Sequence, residues 1–187
     1  MGVNIGTAHW SPLQGPSPPR RKTNRLKGYD YAQAGAYFVT ICAQDRACLF
    51  GSISNGKMRL NDIGNIVAEE WMKTGEIRIG MELDAWVVMP NHFHGIIVIV
   101  DSRRRGGPAG RPYGPRPRSV GALVAGFKSA ATKRINALRG TPGTPVWQRN
   151  YHEHIIRNGD SLERIREYIF GNPSRWATDR ENPSLRT

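Results

Sequence analysis

The sequence is poor in cysteine and in long apolar runs, and each shortage excludes a class of protein. Its 187 residues include two cysteines, Cys42 and Cys48, and this number argues against a disulfide scaffold or a cysteine-rich zinc site. The longest apolar run, residues 95–100, has the length of a strand, whereas a membrane-spanning helix needs about 20 residues. No basic and apolar leader is evident, so we expect a cytoplasmic protein without a membrane partner.

Acidic residues are also scarce, and the resulting positive charge is unevenly distributed. Lysine and arginine number 27 against 15 aspartates and glutamates, a formal net charge of +12. Residues 1–27 hold five basic residues and no acid, and residues 101–118 hold six arginines and one aspartate; each segment contains four prolines. We predict a disordered basic arm in the first segment and a flexible loop in the second. The rest of the chain is nearly neutral.

These two segments are the predicted contact points for a polyanion. A cluster of lysine and arginine binds the phosphates of nucleic acid, although a solvated tail that binds nothing has the same composition. The candidate DNA-binding residues are Arg20, Arg21, Lys22, Arg103, Arg104 and Arg105. Any catalytic function must come from the nearly neutral remainder.

Hydrophobic periodicity in that remainder predicts four strands and three helices. The helices begin at Asn61 or Asp62, at Ser119, and at Asp160, where Glu163 completes a capping-box pattern. The predicted strands cover residues 36–43, 81–89, 92–100 and 146–157. The order β-α-β-β-α-β-α favours an α+β fold of the split βαβ type, an antiparallel sheet with helices on one face. We assign residues 28–183 to one domain and residues 184–187 to a tail.

Two histidines in the third predicted strand are the first candidates for chemistry. Side chains alternate between the faces of a strand, so His92 and His94 project side by side while Phe93 points into apolar packing. Two imidazoles placed in this way can bind one cation. His152 and His154, in the last predicted strand, have the same spacing, and spacing alone does not decide between the pairs.

A tyrosine in the last predicted helix is the candidate nucleophile. Leu162, Ile165 and Ile169 form the apolar stripe of this helix, and Tyr168 and Asn172 lie four residues apart along its border. Both also suit structural roles, as a border residue and as the residue before a helix-ending proline. A phenol with an ordinary pKa of about 10 is a poor nucleophile at neutral pH unless a cation assists the reaction.

Three segments together resemble the REP-associated tyrosine transposases, relatives of the single-tyrosine HUH transposases of small insertion sequences. They are WVVMPNHFHGIIVI (residues 86–99), WQRNYHEHIIRN (147–158) and EYIFGNP (167–173). The resemblance extends from about residue 28 to residue 183. It implies a ferredoxin-like or RRM-like antiparallel sheet with helices packed on it, in agreement with the predicted order of elements. The loop at 101–118 is longer than this family leads us to expect.

The resemblance also assigns roles to individual residues. His92 and His94 match the HUH motif and would hold one divalent cation, Mg or Mn, with Asn172 as the third ligand. Tyr168 matches the nucleophile. His154 and Arg157 match a recurrent element near the site and are candidate supporting residues.

The implied activity is cleavage and rejoining of single-stranded DNA at hairpin-forming palindromic elements, through a 5′-phosphotyrosine intermediate. The implied setting is the bacterial nucleoid, and related enzymes work either as homodimers or as monomers. Two alternatives remain at this point: a metal-dependent nuclease that uses water, and a module that binds hairpin DNA or RNA without cutting it. The absence of a GxxxxGK[ST] loop agrees with a reaction that needs no ATP.

Overall fold

A computed structural model of the chain describes residues 29–100 and 119–185. The predicted basic arm at 1–27 and the predicted loop at 101–118 lie outside these residues. The same is true of all six candidate DNA-binding residues, namely Arg20, Arg21, Lys22, Arg103, Arg104 and Arg105. In the described part of the chain, no helix is both long enough and apolar enough to span a bilayer. The domain boundaries stay predictions.

The described residues form six strands and three α-helices. In chain order they are β1 (Gly35–Cys42), β2 (Gly51–Ser54), β3 (Lys57–Leu60), α1 (Asp62–Ile77), β4 (Met81–Val88), β5 (His92–Ile99), α2 (Val120–Arg139), β6 (His152–Ile156) and α3 (Gly159–Gly171). Short 3₁₀ turns occupy Gln44–Arg46, Pro173–Thr178 and Pro183–Leu185. The α+β class predicted from the sequence is confirmed.

Four of the strands form one antiparallel sheet in the order β4-β5-β1-β6. The central strand β5 is buried on both faces along almost its whole length. This burial explains why residues 96–99 are apolar at consecutive rather than alternate positions. The strand that carries His92 and His94 is therefore a rigid, interior part of the sheet.

The small hairpin β2–β3 is absent from the predicted order of elements, which is wrong at this point. Its two four-residue strands are joined at Asn55 and Gly56, both with positive φ (52° and 67°). An Asn-Gly pair is a strong signal for a two-residue hairpin turn, because both positions need the left-handed conformation. The sequence contained this signal, but the flanking strands are short and only half-buried.

The expectation that all helices pack on one face of the sheet is also wrong. Helices α1 and α2 cover one face, where Trp71 of α1 and Phe127 of α2 pack with Phe93 of β5 at ring-centroid distances of 4.5 to 5.5 Å. Helix α3 covers the other face, where Ile169 is fully buried in a smaller cluster with Ile96 and Ile156. A sheet that is apolar on both faces needs cover on both.

Two predicted boundaries differ from the structure. The side chain of Asn158 accepts a hydrogen bond from Ser161 N at 2.9 Å, so Asn158 caps α3 in place of the predicted Asp160. Strand β6 is shorter than predicted, because the residues before His152 follow an irregular path, in which Trp147 forms an isolated bridge with Ala43, directly after β1. Of the two predicted caps for α1, Asn61 is the one that accepts a hydrogen bond, from Gly64 N, and Ser119, the predicted start of the second helix, accepts one from Ala122 N.

Candidate active site

The β-sheet register determines which face carries the two histidines of β5. His94 lies opposite Thr40 of β1, and the imidazole of His94 stacks on Phe38 with 5.2 Å between ring centroids. Phe38 belongs to the cluster beneath α3. The rings of His92 and His94 are 4.5 Å apart. Both imidazoles therefore project side by side from the face that α3 covers, while Phe93 points into the opposite core.

Both imidazoles are buried and held through their Nδ1 atoms. His92 Nδ1 lies 2.9 Å from Asn91 Oδ1, and His94 Nδ1 lies 2.9 Å from Thr40 Oγ1. Burial lowers the pKa of His92 to about 4, although the carboxylate of Asp179 opposes the shift. Burial, followed by the neighbouring His92, also holds the pKa of His94 well below its ordinary value. Both rings are therefore neutral at physiological pH, the form in which histidine binds metals.

Helix α3 brings Tyr168 to the histidines. Its buried Ile169 anchors the helix, and Arg166 forms a two-pronged ion pair with Asp84 of β4, with Nε 3.0 Å from Oδ1. This attachment places the Tyr168 hydroxyl 3.3 Å from His94 Nε2. The contact lies within a single chain, so the tyrosine and the histidines meet without a second copy of the protein.

Asn172, the residue that ends α3, completes the arrangement. Its side chain is 2% exposed and lies close enough to His92 and Tyr168 to influence the pKa of each. The Asn172 Oδ1 and His92 Nε2 atoms are both buried and have no hydrogen-bond partner among the described residues. Two buried atoms without partners, one an oxygen and one an imidazole nitrogen, suit a bound cation, since leaving them without a partner is costly.

A metal site here would rely on Asn172 as a ligand. Among residues 29–100 and 119–185, no group of three or more His, Cys, Asp or Glu side chains is arranged to hold a metal ion. Two imidazoles and a carboxamide oxygen are nevertheless suitable donors for a divalent ion such as Mn. The residues present therefore fit the expected cation, with His92, His94 and Asn172 as its ligands; these roles stay predictions.

Tyr168 is a protonated phenol at neutral pH in this structure. Its side chain is 39% exposed, yet burial of the hydroxyl region and then the carboxylate of Asp179 raise its pKa. The Asn172 side chain and two arginines, Arg180 and Arg175, oppose this rise. The hydroxyl therefore has to lose its proton during any reaction in which it acts as a nucleophile.

The other candidate residues lie on β6 or directly after it, and one of them, His152, helps to lower the pKa of His94. His152 and His154 lie opposite Thr40 and Phe38, so they share the face of His92 and His94 but are exposed at the edge strand β6. Arg157 follows the last residue of β6, and Ile156 pairs with Ala36 at the far end of β1. The structure therefore does not place Arg157 beside Tyr168, and its supporting role and that of His154 stay predictions.

Several neighbours of the site were not foreseen from the sequence. Thr40 and Asn91 hold the two imidazoles, and Trp176 packs against His92 with ring centroids 6.0 Å apart. Asn91 could have been noticed, since it directly precedes His92. Thr40 could not have been identified, because its contact with His94 depends on the register between two strands 54 residues apart.

Sequence comparison finds two relatives in Haemophilus influenzae strain Rd. An uncharacterized protein is 39% identical over 168 residues, which cover 85% of this chain and 91% of that protein. A protein named as a candidate REP-associated tyrosine transposase is 25% identical over 148 residues, covering 77% of this chain and 73% of that protein. No protein-family model matches the chain.

A solved structure of a REP-associated tyrosine transposase bound to a REP hairpin has the same fold. Its TM-score with this chain is 0.56 at 21% identity, and the match covers 82% of this chain and 74% of that chain. This chain therefore has the fold of a REP-associated tyrosine transposase and a weaker sequence similarity to a protein of that name. It also belongs to one family with the uncharacterized Haemophilus influenzae protein, given their identity of 39%. Within this fold, the Tyr168 hydroxyl lies beside His94, and His94 lies beside His92.

Proposed function

We propose that this chain nicks and rejoins single-stranded DNA by metal-dependent tyrosine transesterification at hairpin-forming palindromic elements. The observation that supports this best is the meeting of four side chains at one point. The Tyr168 hydroxyl lies 3.3 Å from His94 Nε2, the rings of His92 and His94 are 4.5 Å apart, and the Asn172 side chain influences the pKa of both His92 and Tyr168. A nucleophile beside a cluster of metal-binding atoms is what phosphoryl transfer to a side chain requires.

His92, His94 and Asn172 are the residues that would hold the cation. A bound Mg or Mn ion would polarise the scissile phosphate and neutralise charge that develops on its oxygens. The protein residues supply the rest of the chemistry. The sheet fixes both imidazoles in position, and their lowered pKa values keep their lone pairs free of protons.

Tyr168 carries out the covalent step. Its oxygen forms a bond to phosphorus while the bond from phosphorus to the 3′ oxygen breaks, leaving a 5′-phosphotyrosine and a free 3′ end. The proton lost by the phenol is balanced by the one that the departing 3′ oxygen gains. The phosphotyrosine bond conserves the energy of the broken ester, so a 3′ hydroxyl can attack it and rejoin the strand without ATP.

The proposed substrate is a DNA hairpin with adjacent single-stranded bases. The related solved structure is bound to a REP hairpin, and this supports hairpin DNA as the partner here. The described residues are nearly neutral, so we assign most of the phosphate binding to the arm at 1–27 and the loop at 101–118. The homodimer stays a prediction, and the proposed chemistry needs one chain.

A covalent adduct assay tests this proposal. We expect a single-stranded hairpin substrate with Mn or Mg to yield a protein–DNA adduct that survives denaturation and disappears with a chelator. Tyr168→Phe should abolish the adduct while DNA binding persists. Tyr151→Phe is the matched control, because Tyr151 instead bonds Glu153 on the other face of the sheet, at 2.9 Å, and this variant should form the adduct normally.

The same assay separates the alternatives. Cleavage that persists in Tyr168→Phe would show a nuclease that uses water. Hairpin binding without cleavage in the unmodified chain, with or without metal, would show a binding module. Either outcome overturns the proposal.

A further inference from the structure

Asn91 connects one of the candidate metal ligands to two distant parts of the chain. It is 1% exposed and lies in the turn between β4 and β5, directly before His92. Its Nδ2 donates to the carbonyl oxygens of Arg46 and Glu181, at 3.0 and 2.7 Å. Its Oδ1 lies 2.9 Å from His92 Nδ1. Asn91 therefore uses both ends of its carboxamide.

These contacts determine the orientation of the amide. A carbonyl oxygen only accepts hydrogen bonds, so the end of Asn91 that faces the carbonyls of Arg46 and Glu181 must be the NH₂ group. The opposite end, which faces His92, must then be the oxygen. An amide oxygen also only accepts, so the contact with His92 requires a proton on Nδ1.

The consequence for His92 is a defined tautomer. A histidine binds a metal ion as the neutral imidazole, and a neutral ring carries one proton. With that proton on Nδ1, the lone pair is on Nε2, the buried atom without a partner. His94 has no such constraint, because the hydroxyl of Thr40 can either donate or accept.

We infer that Asn91 is a positioning residue that fixes His92 in the tautomer with its lone pair on Nε2, directed toward the cation position beside Asn172. This inference rests on the proposed function for the identity of the ligand, a divalent cation. Hydrogen bonds to the far nitrogen of a metal-binding histidine fix the ring and its tautomer, and their loss typically weakens metal binding by about 10- to 100-fold.

Asn91 also has a second role that an experiment has to separate from the first. Through Glu181 it fastens the segment after α3, and this segment packs Trp176 against His92. Asn91→Ala removes both roles. Asn91→Asp keeps an oxygen that accepts from His92 Nδ1 and loses the NH₂ group that holds the two carbonyls. The two variants therefore differ in the contact with His92.

The first measurement needs no variant and no metal. Nitrogen-15 NMR of the His92 ring in the metal-free protein should show a proton on Nδ1 and a lone pair on Nε2. The opposite tautomer would overturn the inference outright. Asn91→Ala should shift the ring toward a mixture of tautomers, and Asn91→Asp should retain the wild-type pattern.

The second measurement is the dissociation constant for Mn, determined by calorimetry on the full chain without DNA. We expect binding to weaken by about 10- to 100-fold in Asn91→Ala and to be retained in Asn91→Asp. Asn136→Ala is the control: Asn136 is a buried asparagine of α2 that donates to Thr144 O, and its loss should leave Mn affinity unchanged.

Two further results would count against the inference. Equal loss of Mn affinity in Asn91→Ala and Asn91→Asp would assign the effect to the segment after α3. Wild-type affinity and tautomer in Asn91→Ala would show that His92 does not depend on Asn91. If the unmodified protein binds no Mn, the proposed function fails, and the NMR result on His92 still decides the tautomer by itself.

Discussion

The burial of His92 predicts that the metal-free protein loses stability as the pH falls from neutral toward 5.5. In the unfolded chain this histidine binds a proton near its ordinary pKa of 6.5, whereas in the folded protein its pKa is about 4. Between these values the unfolded state binds more protons, so acidification favours unfolding. The stabilising contribution is complete above the unfolded pKa and is lost progressively as the pH falls below it.

The size of this effect follows from the two pKa values. Between about pH 7.5 and about pH 5.5, His92 alone should reduce the free energy of unfolding by about 1.4 kcal/mol. His94 adds to the loss, because burial lowers its pKa in the same direction. This pH range lies above the titration of most carboxylates, whose protonation therefore contributes little.

Urea denaturation at both pH values, with a chelator present, measures the change. In the unmodified protein the free energy of unfolding should fall by at least about 1 kcal/mol on acidification. His92→Gln cannot titrate at this position and should lose the share of His92, about 1.4 kcal/mol of that pH dependence, while the share of His94 remains, whatever the stability of the variant at neutral pH. An unchanged pH dependence in His92→Gln, or a wild-type protein that is equally stable at both pH values, would refute the reasoning.

Three further predictions concern the elements that carry the site, each measured by thermal or urea unfolding. Ile169→Ala removes the fully buried anchor of α3 and should lower the free energy of unfolding by about 2 to 4 kcal/mol. The neighbouring Phe170→Ala, at an exposed position, should lower it by less than about 0.5 kcal/mol. Equal losses in the two variants would contradict the described packing. Gly95→Ala should cost about 1 to 3 kcal/mol because its Cβ would lie 2.7 Å from the Trp71 ring, while Gly159→Ala, with open space around it, should be tolerated. Asp84→Asn weakens the ion pair with Arg166, so it should lower the free energy of unfolding by about 1 kcal/mol and reduce the yield of the protein–DNA adduct. A full adduct yield in this variant would show that the ion pair does not position Tyr168.

The sequence predicted the parts of the site that depend on local periodicity. Alternation along a strand placed His92 and His94 together, and helical spacing placed Tyr168 with Asn172. Neither pattern shows how far apart the two pairs are. That separation depends on α3 covering the same face of the sheet as the histidines, and the predicted arrangement with all helices on one face did not contain this information.

The features that were missed depend on long-range pairing. Thr40 meets His94 only because β1 and β5 pair in one particular register. The two roles of Asn91 depend on the path of the segment that follows α3. The hairpin β2–β3 is the exception, because its Asn-Gly turn is a local signal, and attention to that dipeptide would have predicted it.

The side chains around the candidate cation position have a consequence for how substrate is held. The three candidate ligands are electrically neutral, so they would leave the double positive charge of a bound ion uncancelled, and Asp179, whose carboxylate acts to raise the pKa of His92 and Tyr168, is not one of these ligands. The negatively charged phosphates of the bound nucleic acid would neutralise that charge. Cation and DNA would then each strengthen the binding of the other to the same extent, as thermodynamic reciprocity demands.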